Sequence, residues 1–184
     1  MAAAPAPQPD ASAAIDLIVT PDGRLCWQGR GFAAALGAGG VSPAKREGDG
    51  ATPAGIFPLR RVLYRPDRLA PPRTRLHVAP IGPRDGWCDD PHDALYNQQI
   101  RQPFAGGFEL LWRDDRLYDL VVALGFNDSP VIPGAGSSIF LHVAAPDLSP
   151  TRGCVALAQA NLLKLLKGCD ARARLGVMAK DAER

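Results

Sequence analysis

The pattern of hydrophobic and polar positions along the chain predicts short β-strands joined by turns. In "AIDLIVTPDGRLCWQG", apolar residues alternate at Ile15, Leu17 and Val19 before "PDG", which predicts strand, turn and strand. Further strands are predicted over "GIFPLRRVLY", "IFLHV" and "ARLGVMA". Two apolar runs flank "RDDR" in "GFELLWRDDRLYDLVVALGFN", which predicts a hairpin whose strand residues Tyr118 and Asp119 would be structural.

One segment has the spacing of an amphipathic helix. In "ALAQANLLKLLKG", Leu162, Leu163 and Leu166 fall on one helical face, and Gly168 predicts the C-terminal end. No internal repeat is present. The pattern therefore predicts a mainly β (α+β) fold with one main helix.

Composition sets the scale of the fold. The chain has 184 residues, of which 46% are hydrophobic and 22% charged, as is typical of a soluble globular domain. Its 18 prolines and 19 glycines favour short elements and many turns. The net charge of +2 gives no argument for nucleic acid, and no apolar run approaches the roughly 18 residues of a membrane span.

The first 14 residues, "MAAAPAPQPDASAA", predict a flexible tether before a single domain at residues 15–184. They lack the basic and leucine-rich regions of an intact secretory signal. Two interpretations remain open: a tether that followed a cleaved signal, or the disordered start of a cytoplasmic protein.

The four cysteines argue against two common kinds of site. Cys26, Cys88, Cys154 and Cys169 form no CxxC pair, which argues against a zinc ribbon or a thioredoxin-type redox site. Two disulfides are arithmetically possible, and their connectivity cannot be read from the sequence.

The stretch "IFLHVAAPDLSPTRGCVAL" combines residues suited to covalent catalysis. Gly153 lets the backbone turn sharply before Cys154, and amides near the start of a following helix would favour a thiolate. The amides of Gly153 and Cys154 could bind an oxyanion, with His142 as the base. Spacing alone equally allows a buried cysteine and a structural histidine.

Two motifs identify a family resemblance. His142 followed by Thr151, Arg152, Gly153 and Cys154 resembles the active-site signature of the L,D-transpeptidase catalytic domain (YkuD) family. "GDGATPAGIFPL" resembles the family's "TPxGxF" segment, in the same order along the chain. The resemblance implies an L,D-transpeptidase-like β-sandwich with its main helix after the catalytic cysteine.

The resemblance also implies a reaction. Cys154 would attack a peptidoglycan stem-peptide carbonyl and form a thioester, with His142 as base and then acid, oriented by the backbone carbonyl of Val143. The N–H groups of Gly153 and Cys154 would hold the oxyanion. An amine of an acceptor stem would complete a cross-link, whereas water would make the enzyme a carboxypeptidase or endopeptidase.

Further consequences concern partners and location. The implied partners are donor and acceptor stem peptides, with no cofactor, no metal and no nucleic acid, in the periplasm. The oligomeric state stays undetermined. Rival interpretations are a non-catalytic wall-binding domain and a metal site at His142 and Cys154, which lacks a convincing second ligand pair.

Two departures from the family signature bear on specificity. Arg152 stands where the family usually has histidine, and Ala156 where it usually has arginine or asparagine. These departures put the family's usual donor in question. With its "GWCDDP…YN" segment, the chain resembles a divergent proteobacterial branch of the family, which implies a 1-3 cross-link, from L-alanine to meso-diaminopimelate, in place of the usual 3-3 link.

Polar residues of three loops are candidates for binding the stem peptides. They are Arg46, Trp87, Asp89, Tyr96, Asn97, Thr151 and Arg152. The alternatives are a solvated turn around Arg46, a solvent-facing Arg152, and a loop over residues 87–97 pinned by aromatic packing and Asx-type hydrogen bonds.

Overall fold

The computed structural model describes residues 16–179, so the predicted tether at residues 1–14 lies outside the described residues. This part of the chain forms fourteen strands and one helix. The strands are β1 (Leu17–Thr20), β2 (Arg24–Trp27), β3 (Arg30–Ala35), β4 (Val41–Ser42), β5 (Thr52–Pro53), β6 (Gly55–Tyr64), β7 (Val78–Pro80), β8 (Asp85–Cys88), β9 (Gln99–Arg101), β10 (Phe108–Leu110), β11 (Leu120–Leu124), β12 (Phe140–Val143), β13 (Val155–Leu157) and β14 (Arg174–Val177). The helix α1 spans Gln159–Leu166.

Eight strands close into a ring, so the predicted sandwich is not confirmed and the sheet is barrel-like. The order is β11-β12-β13-β3-β2-β1-β14-β6, and β6 also pairs with β11. The ten-residue β6 makes this closure possible because residues 55–58 pair with β14 while residues 59–64 pair with β11. Joining the two ends of a sheet removes exposed edges, which favours closure.

The helix packs into the largest core cluster. Leu162, Leu165 and Leu166 are buried there, beside Val155 and Leu157 of β13. The predicted helical face is therefore displaced by one position, because Leu165 is buried and Leu163 is only partly buried. The helix ends at Leu166, close to the predicted stop.

Of the two predicted hairpins, one forms. β1 and β2 pair antiparallel across residues 21–23. The hairpin over residues 107–127 does not form, because β10 pairs with β8 whereas β11 pairs with β12 and β6. All five residues of β11 are buried, as expected for a strand covered on both faces, so its apolar run marked a barrel strand and not one arm of a hairpin.

A small second sheet covers one side of the barrel. Its order is β10-β8-β9, and Trp87 of β8 stands edge-on to Phe140 of β12 with 5.0 Å between ring centroids. This contact ties residues 85–110 to the strand that carries His142. All four cysteines are free thiols. Across residues 16–179, no helix has the length and apolarity to cross a membrane.

Candidate active site

His142 and Cys154 are brought together by two neighbouring parallel strands. His142 lies on β12 and pairs in register with Ala156 of β13, and Cys154 immediately precedes β13. Both residues line one cleft of about 550 Å³. Their exposed fractions are only 4% and 7%, so each reactive group is held largely out of water.

The hydrogen bonding of His142 fixes its tautomer. Nδ1 lies 2.8 Å from the carbonyl oxygen of Val143, which can only accept, so Nδ1 carries the proton and Nε2 is left as an acceptor. Burial lowers the pKa of His142 to about 4, and the backbone carbonyl of Val143 offsets part of that effect. The imidazole is therefore neutral at pH 7, which is the form that a general base requires.

The thiol of Cys154 is held by backbone groups of Ser138, just before β12, and of Phe140, the first residue of β12. Its Sγ donates to the carbonyl of Ser138 at 3.1 Å and accepts from the N–H of Phe140 at 3.3 Å. Burial raises the pKa of the Cys154 thiol to about 12, with the charge of Glu109 adding to the rise. Cys154 thus carries a neutral thiol, and the cysteine and histidine form no ion pair in this state.

The turn before Cys154 requires glycine. Gly153 has φ +137°, and a Cβ there would lie 2.9 Å from the carbonyl oxygen of Ala51. Its N–H donates to Thr151 Oγ1 at 3.1 Å, and that hydroxyl donates to the carbonyl of Cys154 at 2.6 Å. The Cys154 amide forms no hydrogen bond within residues 16–179, which leaves it available to an oxyanion.

The helix contributes less to this site than the sequence predicted. The three-residue strand β13 follows Cys154 directly, and α1 begins only at Gln159. The field of a helix start acts within its first turn, so the expected help to a thiolate is absent here. This agrees with the raised pKa of Cys154.

Three of the seven substrate-binding candidates line the cleft: Asp89, Thr151 and Arg152. Arg152 is exposed, and its positive charge acts to lower the pKa of Asp89 and of Glu109. Burial has the larger effect and raises both carboxyl pKa values. The cleft therefore presents an exposed guanidinium close to two partly desolvated carboxyl groups.

The other four candidates lie outside the cleft. Trp87 and Asn97 line a separate cavity, and Arg46 is exposed. Tyr96 is buried behind the cleft wall, where its hydroxyl donates to Glu47. These four side chains therefore do not line the cleft. Tyr96 nevertheless holds the carboxylate of Glu47, which does line it.

Asn97 anchors the segment over residues 87–97 through hydrogen bonds to residues at least 10 positions away in the sequence. Its Oδ1 accepts from Trp87 Nε1 at 3.0 Å and from the N–H of Ser138 at 3.1 Å. Its Nδ2 donates to the carbonyls of Phe126 and Asn127 at 2.9 and 2.8 Å. Because the carbonyl of Ser138 accepts the Cys154 thiol, Asn97 is one residue removed from the nucleophile.

Several cleft residues were not found by sequence reasoning. They are Glu47, Glu109, Arg113, Tyr118, Ser137 and Ser138. Glu47 lay in a run predicted to be a solvated turn, yet it accepts a hydrogen bond from Ser137 Oγ at 2.7 Å. The serines belong to "GAGSS", whose composition indicates only a loop.

Tyr118 lines the cleft and is also part of a hydrophobic core cluster. Its ring stands edge-on to the His142 imidazole with centroids 5.1 Å apart, and its hydroxyl donates to Glu109 at 2.7 Å. Arg113 lies over the same ring at 5.0 Å. Asp119 is structural, as predicted, and is paired with Arg68 at 2.7 Å.

Comparisons with known proteins agree with the two motifs. The family model of the YkuD L,D-transpeptidase catalytic domain matches residues 16–175. No curated protein sequence matches significantly.

Solved structures that match the chain include L,D-transpeptidases from two mycobacteria. The L,D-transpeptidase from Mycobacterium smegmatis is 14% identical with a TM-score of 0.42, and the alignment covers 89% of this chain and 58% of that one. The L,D-transpeptidase 1 of Mycobacterium tuberculosis is 11% identical with a TM-score of 0.42, covering 90% and 62%. This chain therefore spans about 60% of the length of those structures.

Proposed function

The chain belongs to the L,D-transpeptidase catalytic domain family, and we propose that it cross-links peptidoglycan stem peptides through a thioester on Cys154. The observation that carries the proposal is the pairing of a neutral imidazole, whose Nε2 is free to accept, with a buried thiol in the same cleft. In this proposal residues 15–184 form the catalytic domain, residues 1–14 a tether, and the site of action is the periplasm.

The first half of the reaction starts from two neutral groups. With the pKa of Cys154 near 12 and that of His142 near 4, proton transfer before attack is unfavourable. The thiol proton therefore moves to His142 Nε2 as the sulfur–carbon bond forms. The N–H groups of Cys154 and Gly153 stabilise the oxyanion, and the Gly153 amide must loosen its bond to Thr151 to do so.

Collapse of the tetrahedral intermediate completes the acylation. The carbon–nitrogen bond of the donor breaks, and the leaving amine takes the proton from His142. The amine of an acceptor stem then attacks the thioester carbonyl, His142 accepts its proton, and the Cys154 thiol is regenerated. If water attacks in place of the amine, the same thioester gives hydrolysis.

The cleft beside the nucleophile supports a donor other than the family's usual one. Ala156 is 1% exposed and adds no polar group, so the side chain that helps place the usual donor is missing. Arg152 offers a guanidinium at the cleft for a stem carboxylate, which it can bind in bidentate fashion. We assign the product as a 1-3 cross-link on this basis.

Incubation with disaccharide-tetrapeptide, followed by mass spectrometry, tests the proposal. The wild type and a Cys26→Ala control are expected to give dimers, and Cys154→Ala none. Fragmentation of the dimers distinguishes L-alanine–diaminopimelate links from 3-3 links, and only 3-3 links would refute the assigned linkage. Shortened monomers alone would indicate the hydrolase, whereas unchanged substrate would favour a non-catalytic wall-binding domain.

Arg152→Gln tests the carboxylate contact separately. Loss of a charge-assisted hydrogen bond costs about 1.5–3 kcal/mol, which corresponds to a KM raised by roughly 10- to 100-fold. An unchanged KM would remove Arg152 from the binding site.

A further inference from the structure

A second cavity lies apart from the catalytic cleft. Its volume is about 690 Å³, and it shares no lining residue with the cleft around Cys154. The residues that shape it are Arg60, Arg61, Trp87, Gln99, Arg101 and Asp128. We call it the Arg61 pocket.

Arg61 is the unusual group of this pocket. Its guanidinium carbon lies 5.6 Å from the centroid of the Trp87 ring, and the side chain forms no ion pair and no hydrogen bond within residues 16–179. Partial burial lowers the pKa of Arg61, although a guanidinium stays charged in water. A partly desolvated cation without a counter-charge is costly, and the cost falls when an anion binds.

The lining charges leave the pocket with a net charge of +1, because three arginines face two carboxylates, those of Asp128 and Asp85. Asp85 Oδ2 already accepts a hydrogen bond from the N–H of Gly82 at 2.7 Å. Arg60 is already paired with Asp128, with 2.7 Å between Nε and Oδ2. Arg101 is exposed and has no ion pair among the described residues. Two guanidinium groups, those of Arg61 and Arg101, are therefore available to one ligand, and a planar guanidinium suits a carboxylate held through two hydrogen bonds.

One wall of the pocket is an edge strand. In the order β10-β8-β9, β9 has no second neighbour within residues 16–179, and its residues Gln99, Ile100 and Arg101 all line the pocket. An edge strand offers backbone N–H and C=O groups to an extended peptide, and the amide of Gln99 adds further polar contacts. The pocket thus combines an edge strand that can pair with a peptide backbone and two guanidinium groups that can bind a carboxylate.

We propose that the Arg61 pocket is an accessory binding site for a carboxylate-bearing extended peptide, separate from the catalytic cleft. On the basis of the proposed function, that peptide is a peptidoglycan stem, which carries several free carboxylates. Arg61 and Arg101 bind the carboxylate, and β9 binds the peptide backbone. The site holds the enzyme on the wall polymer while the cleft acts on another stem.

Asn97 lies between the Arg61 pocket and the catalytic cleft. It lines the pocket, and its Oδ1 also accepts from the N–H of Ser138, which lines the cleft. Arg61 and Arg101 line only the pocket, whereas Cys154 and His142 line only the cleft. Substituting the two arginines is therefore expected to change peptide binding and leave the reactivity of the Cys154 thiol unchanged.

Calorimetric titration of the full chain tests the proposal. The protein carries Cys154→Ala to prevent turnover and Arg152→Gln to weaken the proposed carboxylate contact in the cleft. The probes are disaccharide-tetrapeptide and the same compound with every carboxylate amidated. Adding Arg61→Gln and Arg101→Gln is expected to weaken binding of the acidic probe at least about tenfold. Arg30→Gln, at the start of β3 and outside both cavities, is the control and should bind normally.

Equal binding by the double variant and the control would overturn the proposal, as would equal binding of the amidated probe. Arg101→Gln alone changes an exposed side chain, so it provides the test if the Arg61 variant fails to fold. The outcome is independent of the cross-linking assay, because the titration uses an inactive protein and the assay depends on Cys154. Loss of cross-linking without loss of pocket binding would refute only the proposed function.

Discussion

Replacing Asn97 with alanine is expected to destabilise the protein and to disturb the nucleophile at once. The amide forms four hydrogen bonds, two as acceptor and two as donor. Its partners include Trp87 and Ser138, each 8% exposed, so water cannot readily replace the lost bonds. Asn97 also has φ +58°, a backbone conformation that asparagine tolerates better than alanine.

The magnitude follows from the groups left without partners. Each buried donor left unpaired costs about 1–3 kcal/mol, and the left-handed backbone adds about 1 kcal/mol for alanine. Two such donors lose their acceptor, so a loss of about 3–7 kcal/mol in the free energy of unfolding is expected, with a Tm lower by roughly 6–28 °C. Gln98→Ala is the matched control, because Gln98 is exposed and its side chain forms no hydrogen bond within residues 16–179.

Two measurements together test the reasoning about the nucleophile. Chemical denaturation gives the loss of stability, and iodoacetamide labelling at a temperature where the variant is folded gives the reactivity of Cys154. Freed from Asn97, the Ser138 segment should hold the thiol less firmly, and the alkylation rate of Cys154 should change relative to the control. A stability within 1 kcal/mol of the control would refute the hydrogen-bond argument, and an unchanged alkylation rate would refute the link to the nucleophile.

Three other predictions concern the proposed catalytic residues. The alkylation rate of Cys154, measured by peptide mass spectrometry, should rise about tenfold per pH unit from about pH 7 to 10. The reason is that a thiol with a pKa of about 12 is far from fully ionised in that range. A rate that reaches a plateau below about pH 9 would contradict this. The folded pKa of His142, about 4, lies below its ordinary 6.5, so its contribution to stability is present above pH 6.5 and is lost as the pH falls toward 4. Wild type should therefore lose up to about 3 kcal/mol more than His142→Asn over that interval in denaturation experiments, and parallel curves would contradict this. Gly153→Ala should lower the free energy of unfolding by about 1–3 kcal/mol and remove most of the cross-linking activity, because the added Cβ would clash with the Ala51 carbonyl. Full activity of the variant would show that the turn is not needed.

The predictable parts of the fold are those coded by local patterns. The β1–β2 hairpin follows from alternation around "PDG", and the strand before His142 follows from a short apolar run. The helix follows from leucine spacing, although its buried face was displaced by one residue because the last turn, with Leu165, also faces the core. Each of these depends on neighbours within about ten residues.

The parts that sequence reasoning missed depend on distant pairings. Closure of the barrel requires β6 to pair with β14 and β11, and no local pattern encodes a strand that has two partners along its length. The same limit explains the failed hairpin over residues 107–127. Glu109 and Tyr118 were not recognised as cleft residues because their approach to His142 depends on that tertiary arrangement.

The motif residues were found because they are close in sequence, whereas their charge state is set by burial. The sequence predicted a thiolate favoured by a helix start, but β13 intervenes and the desolvated thiol has a pKa near 12. Burial likewise lowers the pKa of His142, so the two groups are both neutral at pH 7. A thiol that is almost entirely protonated reacts slowly with oxidants, because oxidation proceeds through the thiolate. In the proposed mechanism the proton leaves Cys154 only when a substrate carbonyl is in place to receive the sulfur, which is compatible with the proposed location in an oxidising compartment.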